Sequence, residues 1–266
     1  MPASLKSPVK LMQDEIMNNE SSAVSDNYSL EFQRFIDMAA HDLEAPLRKL
    51  GVLTDRLISK YANKQDEETE QYSSRIHSCI AEMRSLIDGL TELAGAIPEN
   101  MKDEPCEIGT IIKMIWHESA SLVKEKQAEI STGIIPVLQG DSSQFRLLFK
   151  NIIENSFKFS KPGIPLRIEI TAEELTMEEK KHFILPQNSS YHRIKVADNG
   201  IGFEPGDIKR IFQPLVRLHG KSAFRGSGLG LAVVKRIADN HGGKVYAEST
   251  PGMGASIILI VPQNNH

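Results

Sequence analysis

Two glycine-rich turns and one carboxylate supply the groups best suited to chemistry. The first turn lies in Val196-Ala197-Asp198-Asn199-Gly200-Ile201-Gly202-Phe203 and the second in Gly226-Ser227-Gly228-Leu229-Gly230-Leu231, with Gly220, Lys221, Ser222 and Arg225 between them. Ile194 and Val196 alternate with polar residues over Tyr191 to Val196, which predicts a strand that delivers Asp198 at its end. Leu229 to Asn240 predicts a helix that opens on the second glycine block. Glycines at a helix entrance let backbone N–H groups come close to an anion, and the helix dipole favours negative charge there. A carboxylate can accept a hydrogen bond from an exocyclic amine such as that of adenine. The pair suggests a nucleotide, with its base at Asp198 and its phosphates at the glycines. Each half alone also fits an ordinary turn or glycine-rich loop.

Two better-known nucleotide signatures do not fit. A Rossmann fingerprint places its glycines in the first strand-to-helix turn, with an acid further on. A P-loop needs a glycine upstream of Gly-Lys-Ser, and Gly220-Lys221-Ser222 has Leu215 at that position. A third block strengthens the nucleotide reading. Asn151-Ile152-Ile153-Glu154-Asn155-Ser156-Phe157-Lys158 falls on a helix expected over Ser142 to Ser160. Asn151, Asn155 and Lys158 share one helical face. Amide oxygens suit a hard cation such as Mg²⁺, and a lysine suits phosphate.

In this order the three blocks resemble the N, G1 and G2 boxes of the sensor histidine kinases, within the gyrase, chaperone, kinase and mismatch-repair ATPase superfamily. Ile211-Phe212 with Arg217-Leu218-His219 resembles the F box. His41-Asp42-Leu43-Glu44-Ala45-Pro46-Leu47-Arg48 resembles the H box in the form found in phytochrome-like kinases. The resemblance covers roughly residues 28 to 262. It implies a dimerisation and phosphoacceptor domain of the HisKA type followed by a catalytic ATP-binding domain. It also implies that ATP and Mg²⁺ bind the second domain. Asp198 would hold the adenine amine, Gly200 and Gly202 would shape that pocket, and Phe159 would cover the base. Asn155 would be the Mg²⁺ ligand with Asn151 supporting it, and Lys158 would reach phosphate. Gly226, Gly228 and Gly230, with Leu229 among them, would cradle the phosphates beneath a lid running from Gln213 to Gly226. His41 would take the γ-phosphoryl group with Asp42 as base, and a response-regulator receiver domain would then take it onto an aspartate.

The residues around His41 are consistent with that role. Asp42 can orient the imidazole and accept its proton, and an imidazole with one free nitrogen is a competent phosphoryl acceptor. Pro46 inside the helical pattern predicts a bend just beyond. One departure from the family follows. Kinases that also dephosphorylate their regulator often carry Thr or Asn where this chain has Ala45, so weak or absent phosphatase activity is expected.

Composition narrows the class. The chain has 266 residues, 31 basic and 35 acidic, a net charge of −4, and 40% hydrophobic with 6% aromatic residues. That is room for about two domains with aliphatic cores, with no charge excess to favour nucleic acid or an anionic membrane. Cys79 and Cys106 argue against a disulfide framework. There is no apolar run long enough to span a membrane, and no apolar core of a signal peptide, so a cytoplasmic location is expected.

Along the chain, residues 1–27 predict a flexible tail or upstream linker, with the sensor in a partner or outside this sequence. Residues 28–97 predict two long helices. The first has Phe32, Ile36, Ala39, Leu43, Leu47, Leu50, Leu53 and Leu57 on its stripe. The second, from about Asp66 to Ala96, has a heptad seam of Tyr72, Ile76, Cys79, Met83, Leu86, Leu90 and Leu93. Phe35, Ile58, Ile80 and Ile87 widen the apolar stripe beyond what one hairpin can bury, so a homodimeric four-helix bundle is expected. An intramolecular hairpin resting on the second domain is the alternative. Residues 98–105 read as a linker, and residues 106–266 as an α/β sandwich. Within that sandwich, Glu107 to Lys126 reads as one helix, Asp141 as a helix cap, and Glu173 to Ser190 as a solvated surface insertion.

Two other functions stay in view. A superfamily ATPase used as a conformational clamp would carry a water-activating glutamate where this chain has Asn151; Glu154 is close in sequence but off that helical face. A non-catalytic dimeric scaffold would tolerate loss of Asn155, Asp198 and the glycines, all of which are present.

Overall fold

The computed structural model describes residues 40, 43–44, 47–59, 67–97, 101–218 and 226–264. His41, Asp42, Ala45, Pro46, the tail at 1–27, and Gly220, Lys221, Ser222 and Arg225 lie outside the described residues.

Two helices open the fold, α1 over residues 47–59 and α2 over Glu67–Gly95. Within the chain they meet through the flanks of their stripes. Leu47, Ile80 and Ile87 are buried, while Leu43, Leu50, Leu53, Leu57, Tyr72, Ile76 and Met83 remain exposed. The first part of the predicted seam is therefore exposed, while Leu86, Leu90 and Leu93 further along it are half-buried.

The C-terminal end of α2 runs directly into the α/β domain. Ala94 and Ala96 are fully buried, and the Ala96 carbonyl accepts a hydrogen bond from Asn240 Nδ2 at 2.6 Å. A two-stranded antiparallel pair follows, β1 (Glu104–Glu107) with β3 (Val137–Gly140). Glu104 and Pro105, read as linker from the sequence, thus belong to a strand. Pro105 is tolerated because β1 is an edge strand with one neighbour.

The main sheet has five strands in the order β2-β4-β5-β7-β6, namely Glu129–Thr132, Arg167–Glu174, Tyr191–Asp198, Gly254–Pro262 and Lys244–Thr250. Only β2 and β4 run parallel; the other pairs are antiparallel. Strand β7 is interior and buried on both faces, which explains its run Ile257-Ile258-Leu259-Ile260-Val261. Ile168, Ile170, Ile194, Val196, Ile257 and Leu259 face three helices on one side: α3 (Ile108–Glu118), α5 (Ser142–Lys158) and α7 (Gly230–Asn240).

Two sequence expectations change here. The single helix expected over 107–126 is two, because α3 ends at Glu118 and α4 (Ala120–Lys126) resumes after Ser119. The Ser119 hydroxyl donates to the Ile115 carbonyl at 2.9 Å, a back-bond that bends helices. Beyond it α4 buries no residue fully, though its Leu122 and Val123 still pack against the core. The stretch 173–190 is not simply a solvated insertion. It contains α6 (Met177–His182), started by a Thr176–Glu179 capping box, and its Leu175 and Leu185 are buried with Tyr191 and Ile260. The segment covers the second face of the sheet, and Arg193 pins it to Glu173 and Glu179 at 2.6 and 2.7 Å.

Candidate functional site

The nucleotide-type residues meet in one cleft of about 700 Å³. Asp198 stands at the end of β5, as the alternation predicts. Its Oδ1 accepts the Gly200 N–H at 2.8 Å and the Ala255 N–H at 3.2 Å, and its Oδ2 accepts the Ser156 hydroxyl at 3.3 Å. Burial pushes the Asp198 carboxyl above its ordinary value, against the pull of those three donors. Oδ1 is therefore committed to the backbone, and Oδ2, with one longer bond, is the oxygen left for a ligand.

The turn after Asp198 is knitted to its surroundings by glycine. A side chain at Gly200 would come within 2.6 Å of the Phe159 carbonyl, and Gly202 has φ 66° with the Thr250 carbonyl in the space a Cβ would take. Ile201 N donates to that same Phe159 carbonyl at 2.9 Å. Gly202 lines the cleft; Gly200 lies beneath Asp198 and supports it.

Helix α5 supplies the next groups. Asp141 starts it, accepting from Ser143 N at 2.9 Å and Gln144 N at 3.2 Å. Asn151, Asn155 and Lys158 all line the cleft, as their spacing predicts, and so does Phe159 at the end of α5. Lys158 Nζ sits 4.8 Å from the centre of the Phe159 ring and fills the space left by the missing side chain of Gly226. Burial, then the charge of Arg217, lowers the pKa of Lys158. Two cations thus face one another across the cleft. Glu154 also lines the cleft. Burial raises its pKa, partly opposed by Lys150.

Gly226, Gly228 and Gly230 lead into α7, with Gly228 at φ 74°. A Cβ at Gly230 would lie 2.5 Å from Asn151 Oδ1, so the glycine lets the helix N-terminus approach α5. Leu229 does not line the cleft. It is buried, with its side chain against Gly89 of α2. Its side chain thus packs towards α2, while it sits between the glycines of the cradle.

Helix α2 closes the cleft. Its Ser85, Asp88, Thr91 and Glu92 contribute to the wall, together with Glu44 ahead of α1. Glu92 accepts from Lys150 Nζ at 3.1 Å and from Asn151 Nδ2 at 3.2 Å, and Glu82 accepts from Arg217 at 3.0 Å. Sequence reasoning did not find these acids, because each partner is far away along the chain. Ser156 was also missed, yet a signal existed. It shares the apolar face of α5 with Phe149 and Ile152, where a hydroxyl must find a partner.

The residues fit a nucleotide and a hard cation. The glycines bring the backbone of the turn before α7 close to the cleft, and Asn155 presents its amide there, bonded to no other described residue. Among the described residues no group of three or more His, Cys, Asp or Glu could hold a metal, so a cation here would rely on amide and ligand oxygens. Among the described residues, too, no helix is long and apolar enough to cross a membrane.

Comparison with known proteins agrees. Residues 140–265 match the model of the histidine kinase-, DNA gyrase B- and HSP90-like ATPase family. The phytochrome-like protein Cph1 of Synechocystis sp. is 27% identical over 235 residues, which is 88% of this chain and 30% of that protein. The adaptive-response sensory kinase SasA of Prochlorococcus marinus is 26% identical over 253 residues, 93% of this chain and 63% of the other. The chain therefore spans about a third of the phytochrome-like relative and under two thirds of the sensory kinase. Full-length ShkA, solved in complex with AMPPNP, shares the fold with a TM-score of 0.60 at 23% identity, over 88% of this chain and 46% of that one. Residues 140–265 thus match the histidine kinase-, DNA gyrase B- and HSP90-like ATPase family, in a chain similar along most of its length to a phytochrome-like protein and a sensory kinase.

Proposed function

We propose that the chain is an ATP-dependent protein histidine kinase of a two-component system. One observation carries this reading. The cleft that gathers Asp198, Phe159, Lys158, Asn155 and the glycines is walled by the helical hairpin, including Glu44, three residues after His41 in sequence. A nucleotide bound there lies against the domain that carries the acceptor. Asp198 Oδ2 receives the adenine amine, Asn155 provides an amide oxygen for Mg²⁺ with Asn151 supporting it, and Lys158 with the start of α7 holds phosphate. When bound, Mg²⁺ supplies neutralisation of charge on the transferring group. In the transfer the bond from the γ-phosphorus to the ADP oxygen breaks, a bond to an imidazole nitrogen of His41 forms, and Asp42 takes the ring proton. A receiver-domain aspartate of a response regulator then accepts the phosphoryl group.

The exposed stripes on α1 and α2 support a homodimer as the working form, since Leu53, Leu57 and Ile76 are exposed among the described residues. Labelling with γ-³²P ATP tests the reading. The wild type should take up acid-labile, base-stable label, and His41→Gln should bind ATP and take up none. Acid-labile label persisting on His41→Gln would overturn His41 as the acceptor. The alternative of a clamp ATPase predicts steady phosphate release with no labelled protein. It has less support, because the amide of Asn151 is tied to Glu92 and the Leu147 carbonyl and cannot act as a base.

A further inference from the structure

Acidic groups on α2 engage the same groups that a nucleotide would use. Glu82 holds Arg217 at 3.0 Å, in a pair whose side chains are 31% and 21% exposed. Glu92 takes both Lys150 at 3.1 Å and Asn151 at 3.2 Å. For Lys150, burial works to lower the pKa, yet the hydrogen bond and charge of Glu92 outweigh it and raise the value, so the ammonium form is held by that carboxylate. Asp88 also lines the cleft from α2.

Between the two carboxylates lies Gly89, buried in mid-helix. A Cβ there would lie 2.6 Å from Ser227 Oγ and 2.9 Å from Leu229 Cδ1. Glycine is a poor helix former, so its place within a 29-residue helix needs a reason, and close approach of the phosphate-side loop supplies one. Charge pairing and steric fit therefore act on one face of α2, and both draw it onto the mouth of the cleft.

We propose that α2 is a built-in competitor of the nucleotide, its carboxylates Glu82 and Glu92 holding Arg217 and Lys150 until phosphate takes them. The inference rests on the ATP reading above. A triphosphate brings its negative charge to the cations those carboxylates neutralise, so docking on α2 and nucleotide binding oppose one another. By linkage, whatever loosens α2 tightens nucleotide binding by the same factor. Any signal that bends or rotates α2 would then set the affinity of the cleft.

The test uses the full chain and two readouts. Calorimetric titration with Mg·ATP measures affinity, and amide hydrogen exchange at Ser227–Leu229 without nucleotide measures docking. Glu82→Gln with Glu92→Gln should speed that exchange and tighten Mg·ATP binding on the order of 10-fold. Gly89→Ala, which strengthens the helix while crowding Ser227, should do the same without altering any charge. Glu82→Arg combined with Arg217→Glu should restore slow exchange relative to Glu82→Arg alone. Equal or weaker ATP binding by the Glu82→Gln/Glu92→Gln protein, or exchange as slow as in the wild type, overturns the competition. A failure of the wild type and every variant to bind ATP overturns the nucleotide reading itself, a different result from equal binding by all.

Discussion

In the α/β domain Ile112, Leu148, Ile153, Ile170 and Leu259 are wholly buried, whereas in the helical hairpin Leu53, Leu57, Tyr72 and Ile76 are 44–58% exposed. Both regions have apolar residues at regular spacing. A sheet with helices on one face and α6 on part of the other can bury its apolar residues from within one chain. Two helices cannot, because each presents a stripe wider than the other covers. Helix α2 shows the contrast along its own length. Its C-terminal end is built into the α/β core at Ala94 and Ala96, while Ile76 and Met83 nearer its start are exposed among the described residues. The lesson is that one domain is held by its own core, while the other leaves apolar residues exposed, which is the ground for the proposed association.

Four measurements would break or sharpen that contrast. The largest effect belongs to the core. Phe149→Ala should cost the α/β domain roughly 3–5 kcal/mol, read as a fall in denaturant midpoint. Its stability should not depend on protein concentration, and a concentration-dependent midpoint for this domain would undo the comparison. The hairpin should behave in the opposite way. Leu53→Glu with Leu57→Glu should convert a dimer to monomer in sedimentation, with the α/β domain still folded; a wild type that is monomeric and folded at micromolar concentration would remove the argument for association.

A smaller effect is expected at the cleft. Asp198→Asn places a donor where the adenine amine would donate, at a cost of about 1–3 kcal/mol, or roughly 10- to 100-fold in ATP affinity. Because burial disfavours the charged carboxyl, folding should be unharmed or slightly improved. Calorimetry and thermal melting separate the two, and unchanged affinity would remove Asp198 from the site.

The smallest effect concerns acid. His241 Nε2 accepts the Asp141 N–H at 3.1 Å, and Nδ1 donates to the Ile237 carbonyl at 2.9 Å. Burial, only partly offset by that carbonyl and by Asp141, lowers its pKa below the ordinary 6.5. Protonation would turn the accepting nitrogen into a donor facing another donor. The unfolded chain binds the proton more readily, so this contribution to stability is fully present above 6.5 and is lost as the pH falls below it. The thermal midpoint of the α/β domain should drop in that window, and His241→Gln should lose that part of the pH dependence while being less stable throughout. A midpoint equally sensitive in both proteins would point to other groups.

What the amino-acid sequence determined by itself was local. Alternation placed Asp198 at the end of a strand, helical spacing placed Asn151, Asn155 and Lys158 on one face, and Asp141 capped α5; each depends on residues a few positions apart. Elements with strong periodicity were legible for the same reason. The errors came where long-range pairing competed with local pattern. Glu104 and Pro105 join a strand because Val137–Gly140 passes beside them, and the charged stretch around α6 hides Leu175 and Leu185 because β7 presents Ile260 beneath it. Only the tertiary structure decided that Glu82 and Glu92 meet Arg217, Lys150 and Asn151, that Ser156 reaches Asp198, and that Leu229 rests on α2 rather than on the cleft. Such contacts join residues 42 to 140 positions apart. No periodicity records them, because they follow from how packed layers bring remote surfaces within hydrogen-bonding distance.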